Sequence, residues 1–334
     1  MSLESTKAKT KQKPMRRISY YIARVFIFIA CILLIGFSFE LIEGYRDTKK
    51  FPSTGKTINV NSHKIHLFSK GEGKSTVVFT GGLQNPSAYV DFYPLYNEIS
   101  NHARIVAYDR PGHGWSEVTD KPRDIDTIVK EMHTALTESG EKPPYILVSH
   151  SLASLEVIRF AQMYRNEVSG IVMIDSGNPE FYHKNNLKFK ETNILIYRFM
   201  KYSGLIRFIA YNTNYYAKFT APMNNLKFLP NDLKELYLSM IIKTMYNKNI
   251  IDEARMANDN AKTVLDNGYL GNLPLRILTS ESNSLITEWK NSQETLKEWS
   301  TDSKQMIVKG SRHSVHQYSP DVINNEIIEL INKH

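Results

Sequence analysis

Six short runs of β-forming residues recur along this chain, each leading into a turn or a helical pattern, and this alternation restricts the fold more than any other feature. Residues 76–80 (TVVFT), 103–108, 145–150, 170–175 (GIVMID), 275–280 and 305–309 read as strands, the first apolar enough to be buried on both faces. Residues 124–139 and 152–164 read as helices, and a last helix begins at Asp321. Strands alternating with helical patterns predict an α/β fold class, a mostly parallel central sheet with helices on both faces. Ligands of such a sheet bind beyond the carboxyl ends of its strands, so the turns after residues 80, 108 and 150 are the first places to look for a site.

The turn after residue 150 has the most specific pattern. The run YILVSHSLA, from Tyr145 to Ala153, ends a strand in a small-His-Ser-Leu-small pentapeptide and passes straight into helix-forming sequence. A serine at the apex of so sharp a turn has a strained backbone that lifts its hydroxyl clear of the sheet, and the residues two before and two after it must be small. Here they are Ser149 and Ala153, in place of two glycines. At the earlier turns, Gly81-Gly82-Leu83 lets backbone pass close to a ligand, and Asp109 to Ser116, DRPGHGWS, forms a turn-rich loop.

Four segments, VVFTGGLQNPSAYVDF from Val77, YDRPGHGWSE from Tyr108, YILVSHSLASLEVIRFAQMY from Tyr145 and VKGSRHSVHQYSPDVI from Val308, carry a resemblance by their order and spacing. The chain resembles the α/β-hydrolase superfamily, in the serine hydrolase branch with a helical cap, from about Thr57 to the C-terminus. The resemblance implies a core formed by residues 57–177 and 273–334, with a helical cap inserted over residues 178–272. It also implies a nucleophile, an acid and a histidine in that chain order. Ser151 is the expected nucleophile and His313 the expected base, with His316 its near alternative. His150 is expected to point off the opposite side of the elbow in a structural role, and His113 to line the site. The acid has competing positions. After the strand that follows the cap, the usual place, alignment puts Asn283, whose amide cannot carry the charge that stabilises an imidazolium; Glu281 is the alternative in that loop. Other branches place the acid after the strand that follows the elbow helix, where this chain has Asp175, the favoured candidate. Backbone N–H groups stabilise the oxyanion: Leu152, after the nucleophile, and Leu83, with Gly82 next to it.

The formal net charge of +8 is concentrated at one end, because residues 1–17 hold six Lys/Arg against one Glu. No nucleic-acid motif accompanies it, and nucleic acid is not an expected partner. The basic tail precedes residues 18–41, an apolar run of the length a bilayer span needs, which predicts a single-pass anchor with the catalytic domain outside the cytoplasmic membrane. Arg24 lies near the inner end, from which its side chain reaches the headgroups. Cleavage after Gly36-Phe-Ser38 is the competing reading. A lipoprotein signal at Cys31 is disfavoured, because apolar residues continue past it. Residues 42–56 read as a linker. Cys31 is the single cysteine, and no metal-ligand spacing occurs among the ten histidines, so no cofactor or metal is expected.

Residues 178–272 turn rich in Tyr, Phe, Lys and Asn, and residues 193–211 are apolar with Arg198, Lys201 and Arg207 interspersed. The favoured reading is a cap that packs its apolar face over the site; the sharper one adds contact with the membrane surface. Together these features predict a membrane-anchored serine hydrolase acting on a small-molecule carboxylic ester with an apolar acyl or alkyl group. A peptidase or amidase with the same residues, and a non-catalytic binding protein, are the alternatives.

Overall fold

The computed structural model describes residues 13–333, so the first twelve residues of the basic tail lie outside the described residues, as does His334. Among the described residues one sheet has eight strands: β1 (Lys56–Val60), β2 (His63–Lys70), β3 (Thr76–Thr80), β4 (Arg104–Asp109), β5 (Tyr145–His150), β6 (Val168–Ile174), β7 (Leu275–Ser280) and β8 (Ser303–Val308). Their spatial order is β1-β2-β4-β3-β5-β6-β7-β8. β2 runs antiparallel to β1 and β4, and every other pairing is parallel. The six expected strands are β3 to β8. The β1–β2 hairpin is additional; its turn residues Asn61 and Ser62 have φ of 50° and 72°, the left-handed pair that suits a tight hairpin.

Period-two alternation sorts each central strand into two layers. Val78 and Leu147 pack on one face with helices Ile125–Glu138 and Ser154–Met163. Their neighbours Val77, Phe79, Ile146 and Val148 pack on the other with Tyr93–Ile99 and Pro320–Ile331. Helix Lys248–Asp266, inside the expected cap, contributes Ala257, Ala261 and Val264 to the first of these layers. The packed cap therefore ends before residue 248, because these small residues seat the following helix against the core. Its own centre is Leu226, Leu229, Leu233, Leu236, Tyr237 and Met240, against Val90.

A single helix, Lys13–Lys50, covers the expected span and most of the expected linker. Its most apolar window has a mean hydropathy of 2.7, long and apolar enough to cross a membrane. The linker over 42–56 is corrected to a short stretch at residues 51–55. The helix continues because the cap supplies partners for its polar end. Arg207 donates to both carboxylate oxygens of Glu40 at 2.9 and 3.1 Å and to Asp47 at 2.8 Å.

Candidate active site

β5 delivers Ser151 at the carboxyl rim of the sheet. The serine has φ of 55°, a left-handed conformation costly for a residue with a Cβ, and the chain turns through residues 151–153 directly into helix Ser154–Met163. Asp175, immediately after β6, also has a left-handed φ of 43°, which turns its carboxylate along the same rim. His313 arrives from the loop after β8, and its Nδ1 lies 2.7 Å from Asp175 Oδ2. With Nδ1–H donating to the acid, Nε2 is left as the proton acceptor.

Asp175 is fully buried and accepts from six groups. Ser280 N–H, Trp289 Nε1 and Gln293 Nε2 donate to Oδ1 at 3.0, 3.2 and 2.7 Å; Ser280 Oγ, Asn283 Nδ2 and His313 Nδ1 reach Oδ2 at 3.0, 2.6 and 2.7 Å. Burial alone would raise its pKa, but His313 and the backbone and amide donors outweigh burial and hold it down at about 2. Asn283, at the usual acid position, thus serves as a donor to the neighbouring carboxylate. Glu281 faces elsewhere: its Oε2 accepts from Gly310 N–H at 2.9 Å and braces the histidine loop. His316 is fully buried with Nε2 3.1 Å from Asp91 Oδ2, and among the described residues no contact joins it to Asp175.

On the other side of Ser151 lies the glycine turn after β3. A Cβ at Gly82 would sit 2.8 Å from Ser151 Cβ, so only glycine permits this approach. The buried Arg110 guanidinium donates to Gly81 O and, at 3.1 Å, to Gly82 O. In planar trans peptides, carbonyls drawn to Arg110 leave the Gly82 and Leu83 N–H groups facing the opposite way. Arg110 is held in turn by Glu253 at 3.1 Å and Glu156 at 3.2 Å; burial, aided by the neighbouring Glu253, outweighs the lowering pull of Arg110 and Thr80 and pushes Glu156 up to about 7.

A family model described as the alpha/beta hydrolase fold matches residues 76–214, which carry the glycine turn, the elbow and Asp175. The chain is an α/β-hydrolase-fold protein. The chain is 26% identical over 333 residues to the uncharacterized protein YbdG of Bacillus subtilis (strain 168), covering 97% of this chain and 99% of that one. Among solved structures it is similar to an epoxide hydrolase from Vigna radiata, with a TM-score of 0.64, 19% identity and coverage of 84% of this chain and 98% of that one. It is also similar to a meta-cleavage product hydrolase from Pseudomonas fluorescens IP01, with a TM-score of 0.56, 15% identity and the same two coverages of 84% and 98%.

Two histidines occupy places other than those expected. His150 does not point to the far side of the elbow: its ring lies 4.5 Å from that of His313, and its Nε2 donates to the His313 carbonyl at 3.1 Å. Burial, then the neighbouring His313 and His316, bring its pKa down to about 3, so it is neutral and supports the loop. His113 is buried beside Glu253 at 4.0 Å and does not line the pocket beside the elbow. That pocket has a volume of about 200 Å³ and is bounded by Gly82, Leu83 and His150 below and by Met223, Tyr237 and Ile241 of the cap above.

Sequence reasoning did not single out Arg110, Tyr182, Trp289 or Gln293. Arg110 had a signal, its place in the DRPGHGWS loop. The other three had none, since their roles arise from tertiary contact. The buried Tyr182 phenol, pushed well up by burial, accepts from Gly177 N–H at 3.1 Å.

Proposed function

We propose that this α/β hydrolase is a membrane-anchored serine hydrolase that cleaves a carboxylic ester with an apolar acyl or alkyl group. The observation that carries the reading is the 2.7 Å contact of His313 Nδ1 with a buried, ionised Asp175, on the rim where Ser151 is held at φ of 55°. Substrate binding brings the serine hydroxyl to His313 Nε2, a tightening common between free and occupied sites. His313 takes the proton, Ser151 Oγ bonds to the carbonyl carbon, and Asp175 opposes the developing imidazolium charge. The N–H groups of Leu152 and Leu83 stabilise the oxyanion; His313 returns the proton to the departing alcohol, and water releases the acyl group by the same steps. Epoxide chemistry is disfavoured although epoxide hydrolases share the fold, because the resembling enzymes use an aspartate nucleophile and the elbow here has serine.

An apolar cap wall of Phe219, Met223, Ile241 and Met245 supports an apolar substrate group. The anchor reading draws on the continuous helix: cleavage after Ser38 would separate Glu40 and Asp47, Arg207's partners, from the span. A fluorophosphonate probe tests the chemistry. Wild type should be labelled and hydrolyse p-nitrophenyl esters, and Ser151→Ala should lose labelling and several orders of magnitude in turnover with its fold intact. Retention of ester hydrolysis within about tenfold of wild type would remove Ser151 from the reaction.

A further inference from the structure

One face of the cap is apolar and open. Leu195, Ile196, Phe199 and Tyr202 of helix Glu191–Tyr202, with Leu205 and Phe208 of helix Leu205–Asn212, are each between 41% and 69% exposed, far more apolar surface than a water-facing helical hairpin needs. The N-terminal helix is seated on this same hairpin. Leu33, Gly36, Phe39, Glu40, Glu43, Gly44 and Asp47 are its partly covered residues, a stripe of helical period. A Cβ at Gly36 would collide with Ser203 O, and one at Gly204 would lie 2.7 Å from Gly36 O, so the two backbones meet at the turn between the cap helices.

The position of that contact along the helix fixes its depth. Residues 18–32 are all exposed and extend for about 22 Å at the rise of an α-helix, whereas the hydrocarbon of a bilayer is about 30 Å thick. The remaining 8 Å or so must fall beside residues 33–38, where the cap turn is already docked. Arg24 favours the inner headgroups and moves the inner boundary outward, which lengthens the overlap.

We propose that the cap hairpin of residues 191–212 is seated in the hydrocarbon of the outer leaflet, beside the helix that anchors the chain. Its charges are arranged for this. Arg207 is paired with Glu40 and Asp47, and Lys201 Nζ donates to Lys243 O at 2.6 Å, so neither leaves a bare charge on the apolar face. Arg198 is long enough to reach the headgroups from the hairpin. The docked helix commits the face to lipid, because any other occupant would have to displace the hydrocarbon around residues 33–38.

The proposal rests on the anchor reading, and one experiment separates the two. The full chain is reconstituted into phosphatidylcholine–phosphatidylglycerol vesicles that contain lipid with a nitroxide in its acyl chain. A fluorophore is placed on native Cys31, or, in a Cys31→Ser background, on Phe199→Cys, Phe208→Cys or Tyr269→Cys, the last on the core at the opposite rim of the sheet. The expected result is that the nitroxide quenches the labels at 31, 199 and 208 and that aqueous iodide quenches only the label at 269. Quenching of Cys31 by lipid with iodide quenching at 199 and 208 keeps the anchor and overturns the seated cap. Iodide quenching at all four positions overturns both.

Discussion

At the scale of single residues the site depends on one carboxylate. Six donors converge on Asp175, and its ionised state is secured well below neutral pH, at about 2. Asp175→Asn should therefore cost on the order of 10²- to 10⁴-fold in kcat, the loss seen when a triad aspartate is neutralised. Glu281→Gln should cost less than about tenfold, since its carboxylate serves Gly310, and Asn283→Ala the same order because five donors remain. Steady-state kinetics at one pH with circular dichroism as a folding control decide it: normal turnover in Asp175→Asn with collapse in Glu281→Gln would move the acid to the later loop. Arg110 is different in kind. It touches the Gly81 and Gly82 carbonyls and two buried glutamates, so Arg110→Met leaves buried charge unpaired and should destabilise the fold by about 3–5 kcal/mol, measured by chemical denaturation. Adding Glu253→Gln should recover part of that loss; no recovery would mean that the ion pair is not its source.

At the scale of elements the loops around the site are clamped by contacts distant in sequence, and the cap is clamped to the N-terminal helix. Backbone approaches backbone where Gly36 meets Ser203, and any side chain at 36 must push the two apart. Gly36→Val should release the helix from the cap and speed proteolysis within residues 198–207 several-fold, while fluorophosphonate labelling of Ser151 persists in the time before cleavage. Unchanged proteolysis would show that the ion pairs of Arg207 suffice to dock the helix. The same contact explains why residues 42–50 are helical although their sequence is polar: the helix is stabilised by Arg207 in the cap, not by propensity.

At the scale of the whole molecule, stability should depend on pH through His150. Its folded pKa of about 3 lies below the ordinary histidine value near 6.5, so the folded state binds fewer protons than the unfolded one between those limits. Its contribution is fully present above pH 6.5 and is lost as pH falls towards 3. The Tm of wild type should fall faster than that of His150→Gln as pH is lowered from 6.5 to 4, and parallel curves would refute a buried neutral imidazole. Comparing the two proteins cancels the opposite trend of Glu156, whose pKa is raised.

The strands β3 to β8, the elbow at Ser151 and the glycine turn were legible in the sequence because each follows from local chemistry: apolar runs, a small-x-Ser-x-small turn, a residue without a Cβ where backbone must approach. Ser151 and His313 were legible as candidates for the same reason, with chain order assigning their expected roles. The sequence favoured Asp175 over Glu281 as His313's partner but left both open, since both lie at strand ends on one rim and only the left-handed turn after β6 aims one carboxylate at the imidazole. Nor could sequence place His150 against the histidine loop, 163 positions away, or find Tyr182, Trp289 and Gln293, whose contacts join residues up to 118 positions apart. Local pattern determined which elements form and which side chains carry chemistry. The tertiary structure decided which of them meet, because hydrogen bonds and close packing depend on distances that sequence spacing does not encode.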